Sequence, residues 1–199
     1  MTVLVNKTAP DFTSAAVLPN GSIQPDFTLS AHRGQYVALF FWPKDFTFVC
    51  PSEIIAHDRR VEQFKALGVQ VIGVSIDSED VHYAWRSTPV EKGGIGEVRF
   101  PMVADIKHEI VRAYGIEHEP GVALRATFLI DKAGVVQHQV VNNLPLGRDV
   151  DELIRIIEAL QFSEQHGEVC PAGWRKGDKG MKPTAAGVAE YLSENAGKL

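Results

Sequence analysis

Apolar and polar positions change period several times along the chain, and each change marks an element. Tyr36-Val37-Ala38-Leu39-Phe40-Phe41-Trp42 has no charged or amide interruption. Such a run reads as a strand buried on both faces, and Pro43 ends it. Pro51-Ser52-Glu53 then has the layout of a helix start, with proline at the first helical position and an acid in the first turn. Ile54, Val61, Phe64 and Leu67 keep helical spacing, which predicts one helix stopped by Gly68. Residues 69–76 are rich in β-branched side chains and read as the next strand. Asp77-Ser78-Glu79-Asp80 is a turn and helix entry, followed by a helical segment over 81–87 that Thr88-Pro89 closes.

Gly93-Gly94-Ile95-Gly96 reads as a flexible loop, 98–104 as a short extended piece and 106–114 as a helix stopped at Gly115. Residues 125–130 and 135–141, joined by a tight turn over 131–134, carry a hairpin signal. Residues 149–162 are patterned as a helix, with Val150, Leu153, Ile154, Ile157 and Leu160 apolar and acids in the first turn. Strands alternating with helices and then a hairpin define an α/β fold, a mixed central β-sheet flanked by helices. After Phe162 the chain turns to glycine, proline and lysine. Residues 167–184 therefore read as an extended C-terminal arm, and 185–194 as a short helix. The expected organisation is one domain over 1–163 and an arm over 164–199.

A length of 199 residues allows one domain with a substantial core. The formal charge of −5 argues against nucleic acid or an anionic membrane as the main partner. No apolar run reaches the roughly 18 residues that a membrane span needs. Residues 1–10 lack the layout of a signal peptide, so a reducing, cytoplasmic setting is expected. There, two cysteines (Cys50 and Cys170) are catalytic or free more often than a structural staple. Apart from His57, which is taken up below, His32, His82, His108, His118, His138 and His166 show no metal-ligand spacing, and each reads as a surface or loop residue. On that spacing no metal site is expected.

Cys50 directly precedes a helix start, where a thiolate can be held by the helix terminus and a nearby cation. The thiolate is the reactive form. A free cysteine is already a few per cent thiolate at neutral pH, so full ionisation gains only about thirtyfold. Lower basicity also makes the sulfur less nucleophilic, with a Brønsted slope of about 0.4–0.5. Fast chemistry would need donors that receive the leaving group and fix the geometry. Thr47, three residues before Cys50, is such a donor or an ordinary turn threonine. Pro43 stiffens the loop and shields the sulfur, or simply ends the strand. Arg125, opening its strand, either snorkels at the surface or aims an always-charged guanidinium at the thiolate.

The stretch 40–55 resembles the active-site segment of peroxiredoxins: proline, three residues, threonine or serine, two residues, cysteine. Pro43, Thr47 and Cys50 match it in full. Val169-Cys170-Pro171-Ala172-Gly173-Trp174 is similar to the resolving-cysteine segment of the typical two-cysteine subfamily, the alkyl hydroperoxide reductase C type. Arg125 falls where that family has its active-site arginine. The resemblance runs from about residue 3 to about residue 194. It implies a thioredoxin-like fold and a thiol-dependent peroxidase in which Cys50 is oxidised by a peroxide to a sulfenic acid. Thr47 and Arg125 would bind the peroxide oxygens and Pro43 would shield the site. Cys170 of the partner subunit would form an intersubunit disulfide with Cys50. A thioredoxin-like protein or a flavoprotein reductase would then reduce that disulfide. A homodimer that needs no metal or organic cofactor is also implied. The resemblance is compatible with a ring of five dimers. It permits a rival reading, a holdase chaperone with peroxidase activity secondary, as well as holdase activity secondary to the peroxidase. Gly93-Gly94-Ile95-Gly96 and Tyr191-Leu192 resemble in part the features of oxidation-sensitive members, which points to intermediate sensitivity to overoxidation.

Rival readings have less support. A thiol–disulfide oxidoreductase would carry a Cys-x-x-Cys pair, which is absent. A Cys–His hydrolase would have to use His57, two turns along the helix from Cys50, where it shares a face without reaching the sulfur.

Overall fold

A computed structural model describes residues 3–119 and 121–198. The chain divides into two compact units, Met1–Val150 and Asp151–Leu199. The helix expected over 149–162 thus lies almost wholly in the second unit, whereas the pattern alone had grouped it with the first.

The first unit is built on a seven-stranded mixed sheet. In chain order its strands are β1 (Thr13–Val17), β2 (Ile23–Thr28), β3 (Tyr36–Phe41), β4 (Val69–Ser75), β5 (Met102–Ala104), β8 (Arg125–Ile130) and β9 (Val136–Asn142), with a small separate hairpin, β6 (Glu117–His118) and β7 (Val122–Ala123). Their order across the sheet is β2-β1-β5-β4-β3-β8-β9. Strands β3, β4 and β5 run parallel, and β8 lies antiparallel to β3. All residues of β3 and β8 are buried, as their uninterrupted apolar runs require. Because these two neighbours are antiparallel, the end of β3 and the start of β8 share one end of the sheet. The loop to Cys50 leaves from that end, and Arg125 sits on it.

Strands β1 and β2 carry no alternation that would announce them, and Pro25 argues against a strand. Proline is tolerated because β2 is an edge strand. The helix expected to run from Pro51 to Gly68 is two helices, α1 (Cys50–Arg59) and α2 (Val61–Ala66). Arg60 leaves the helical well at φ −103°, ψ 6°. The Asp58 carbonyl accepts there from the Arg99 guanidinium, and Asp58 Oδ1 accepts from the Arg99 backbone N–H at 2.7 Å. That partner lies 41 residues away, beyond any local pattern.

Helix α3 (Glu79–Ser87) is capped by the Ser78 hydroxyl, which accepts from Val81 N–H at 3.3 Å. Gly93-Gly94-Ile95-Gly96 is pinned: Trp85 Nε1 donates to Gly93 O at 3.1 Å, and Ile95 is buried. Gly94 passes so close to Thr88 that any Cβ would overlap the Thr88 carbonyl. Gly73 in β4 likewise leaves room for Trp42 and Phe40, whose rings a Cβ would meet at 2.6 and 3.1 Å.

The helix expected from 106 is shorter, α4 (Glu109–Ala113). His108 takes a left-handed φ of 57°, and the buried Asp105 carboxylate caps the helix by accepting from Ile110 N–H and Val111 N–H at 3.1 and 2.8 Å. Phe128 meets Phe41 and Tyr114 edge to face in the core, with Tyr114–Phe128 centroids 4.9 Å apart.

The second unit holds α5 (Val150–His166, from its second residue on) and α6 (Ala185–Asn195). Helix α5 outlasts its apolar pattern by one turn. The arm between them is irregular but closed on itself, through an antiparallel bridge between Val169 and Met181. Trp174 is buried, 4.8 Å from the Phe162 ring, and its Nε1 donates to Asp178 O at 3.1 Å. Among the described residues no helix is long and apolar enough to cross a membrane.

Candidate active site

Cys50 is the first residue of α1 and is fully buried. Two donors from different elements meet its sulfur. Thr47 Oγ1 lies 2.9 Å from Sγ, and Arg125 Nη1 lies 3.2 Å from it. Thr47 Oγ1 is also 2.8 Å from Lys44 O. A hydroxyl has one proton to give, so it donates to the sulfur when that is a thiolate and to Lys44 O when the thiol itself donates. Pro43 is buried at the start of the loop. Of the two sequence readings of Arg125, the buried one holds: the residue is 4% exposed.

Two residues not singled out in the sequence complete the electrostatics. Glu53, one turn after Cys50 and buried, accepts from Arg125 Nη1 at 2.7 Å. It also accepts from Arg148 Nε at 2.8 Å and Arg148 N–H at 2.9 Å. Burial works against the Glu53 carboxylate, but the Arg148 hydrogen bonds and charge, with the Arg125 charge, outweigh it and hold the group below its ordinary range. Among the described residues Arg148 Nη2 has no hydrogen-bond partner, while the guanidinium lies over the Phe40 ring at 5.6 Å. Two guanidinium groups and one carboxylate leave a formal positive excess.

His82 corrects its reading as a surface or loop residue, since it is buried, as is His57, which lies on the helix after Cys50 as its spacing predicts. Each sits on the inward face of its helix and is satisfied there. His57 stacks on Phe40 at 4.0 Å and its Nδ1 donates to Glu53 O at 2.7 Å, so the ring is engaged away from any hydrolase role. Burial, helped by the Arg148 charge, pushes the His57 pKa down to about 3. An unfolded chain protonates this residue below pH about 6.5 whereas the folded one does not until about 3. Its contribution to stability is therefore complete above that window and lost as pH falls through it. Denaturant titrations across the window are expected to show a flatter pH dependence for His57→Phe than for wild type. An unchanged slope would remove His57 from the account.

Cys170 lies in the second unit, half-buried, and its thiol donates to Ala159 O at 3.3 Å. Burial pushes its pKa up, opposed by the Arg155 charge. The two cysteines are free, not linked to each other.

The scaffold is thioredoxin-like, and the site on it holds a buried cysteine sulfur between two donors. Residues 5–139 match the AhpC/TSA family, and residues 159–194 match the C-terminal domain of 1-Cys peroxiredoxin, although here that segment carries Cys170. The chain is 62% identical over 198 residues to alkyl hydroperoxide reductase C of Helicobacter pylori, covering 99% of this chain and 100% of the relative. It is 46% identical to peroxiredoxin-1 of Gallus gallus, with 96% of each chain covered. The crystal structure of the reduced 2-Cys peroxiredoxin of Plasmodium vivax superposes with a TM-score of 0.94 at 47% identity, covering 96% of this chain and 100% of that one. The chain belongs to the AhpC/TSA family, the peroxiredoxins, and is a peroxidase of thioredoxin-like fold.

Proposed function

We propose that the protein reduces hydrogen peroxide and organic hydroperoxides through Cys50. The observation that carries this reading is the convergence of Thr47 Oγ1 and Arg125 Nη1 on a fully buried sulfur. The Cys50 thiolate attacks one peroxide oxygen and the O–O bond breaks. The leaving oxygen takes a proton and departs as water or an alcohol, and the sulfur becomes a sulfenic acid. Thr47 and Arg125 hydrogen-bond the peroxide oxygens as charge moves onto the leaving one. Pro43 screens the sulfur from solvent.

Cys170 of the partner subunit then condenses with the sulfenic acid, releasing water and forming an intersubunit disulfide. A thioredoxin-like protein or a flavoprotein reductase returns both thiols, in the cytoplasm. Condensation requires the first turn of α1 and the arm around Cys170 to open, a local unfolding step. A slow opening leaves time for a second peroxide to overoxidise the sulfur. Leu192, partly exposed on α6, fills less space than an aromatic side chain would, which fits intermediate sensitivity. Strand β9, at the sheet edge, offers a surface for pairing two subunits, and five such dimers would close a ring. Exposed Phe46, Phe48, Tyr83 and Val90 are the physical basis for a secondary holdase activity.

Non-reducing electrophoresis after one equivalent of hydrogen peroxide tests the cycle. Wild type is expected to run as a covalent dimer, and Cys50→Ser and Cys170→Ser each as monomers. A mixture of the two variants, allowed to exchange subunits, is expected to regain the cross-link. A disulfide confined to single chains would sink the intersubunit step.

A further inference from the structure

The segment between β3 and α1 carries Thr47 and has no regular structure. Its shape is set instead by a buried polar cluster that takes no part in the chemistry above. Asp45 is 2% exposed and His82 is fully buried. Asp45 Oδ1 accepts from Trp42 Nε1 at 2.7 Å, and Oδ2 faces His82 Nδ1 at 2.7 Å. His82 Nε2 donates in turn to Val103 O at 3.1 Å. The backbone N–H of Asp45 donates to Asp77 Oδ2 at 2.8 Å, and the same oxygen accepts from Ser75 Oγ at 2.7 Å.

That N–H belongs to the peptide whose carbonyl is Lys44 O, the 2.8 Å neighbour of Thr47 Oγ1. One rigid peptide plane is therefore tied at its N–H end to the carboxylate just beyond β4. At its carbonyl end it meets the hydroxyl that lies 2.9 Å from Cys50 Sγ. Phe46, the link between Asp45 and Thr47, takes a left-handed φ of 52°. A residue with a Cβ keeps that conformation only where its surroundings over-determine it. Apolar side chains of similar volume would join these elements with less desolvation cost, so stability alone does not account for the cluster.

We infer that Asp45, held by Trp42 and His82, and Asp77 are positioning residues. They fix the Lys44–Asp45 peptide, whose carbonyl seats the Thr47 hydroxyl oxygen beside Cys50 Sγ. The inference rests on the reading of Cys50 as the attacking sulfur. It assigns to the loop a rigid template, in which a displacement of the donor by an ångström costs about 100-fold in rate.

A double-mutant cycle tests it, read as the single-turnover rate of hydrogen peroxide loss. Thr47→Val is expected to lose about 100-fold, the cost of removing one preorganised donor. Asp45→Ala is expected to lose about 30- to 100-fold by misplacing that donor. The double variant is expected to be no slower than the slower single one, because both changes remove the same interaction. Asp45→Asn offers its oxygen to Trp42 and its amide to His82 Nδ1, and is expected within about threefold of wild type, since it keeps both hydrogen bonds. Should Asp45→Ala not fold, His82→Gln takes its place in the cycle. Losses that multiply in the double variant would overturn the inference, as would an Asn variant as slow as the Ala one. A Cys50→Ser arm separates the two levels. Multiplying losses in a protein whose Cys50→Ser form is inactive defeat the positioning role alone. Undiminished peroxide loss in Cys50→Ser defeats the reading of Cys50 and this inference with it.

Discussion

Cys50→Ser is expected to lower the rate of peroxide consumption by about 10⁴-fold or more, the scale seen when a covalent nucleophile is removed. The substitution exchanges sulfur for oxygen at a site where Thr47 and Arg125 still stand at hydrogen-bond distance. The donors, the burial and the fold are all kept. What is lost is the polarisable sulfur that serves as nucleophile; a serine hydroxyl stays protonated near neutral pH and is far less reactive. The comparison with donor removal decides which effect dominates. If donors alone carried the rate, the serine variant would keep most of it, whereas a dominant nucleophile predicts a loss far beyond the ~10²-fold of a single donor. Stopped-flow assay with hydrogen peroxide measures this directly. A serine variant within about tenfold of wild type would place the chemistry elsewhere, because ordinary surface changes have effects of that size or smaller.

Glu53→Ala is expected to destabilise the protein by about 3–5 kcal/mol, the cost of breaking a buried ion pair by removing one partner. Glu53 is 3% exposed and is the shared acceptor of Arg125 and Arg148. Without it, two buried guanidinium groups face each other, and Arg148 loses the acceptor of its backbone N–H as well. Arg125 keeps its Nε bond to Leu144 O but loses the contact that orients Nη1 towards the sulfur. A fall in peroxide rate should therefore accompany the stability loss. Glu53→Gln retains one acceptor oxygen and is expected to fall between wild type and Ala. Urea denaturation of the three proteins checks the order. The wild type should reproduce part of the effect in acid: the lowered carboxylate contributes fully above the ordinary glutamate range and is lost as pH falls through its depressed value. A Glu53→Ala protein as stable as wild type would show that the two arginines find other partners.

Much of this site was readable from the chain because its elements announce themselves locally. The run ending at Trp42, the proline that follows and the Pro51-Ser52-Glu53 start place Cys50 between a buried strand and a helix, which is where it lies. Arg125 at the head of an apolar strand was readable as a candidate but not as a contact. Glu53 had a weak signal, an acid in a first turn. Arg148 had none, since it precedes α5 in a segment whose pattern is featureless. His82 was misread as exposed because an isolated histidine has no periodicity of its own. Its burial against Asp45, like that of His57 against Phe40, depends on residues that local spacing does not bring near.

The sequence by itself determined the α/β class, the helix start at Cys50 and the two cysteine segments, because strand runs, prolines and caps act over a few residues. The break at Arg60, the edge strands β1 and β2 and the closure of the arm were decided by tertiary contacts. So was the surrounding of Cys50. Arg125 is 75 residues from Cys50 and 72 from Glu53, and Arg148 is 95 from Glu53. Contacts at that range follow from the antiparallel pairing of β3 with β8, which brings the end of one strand beside the start of the other. A residue type can be read from the chain. Whether its charge is buried against a sulfur depends on which strands become neighbours.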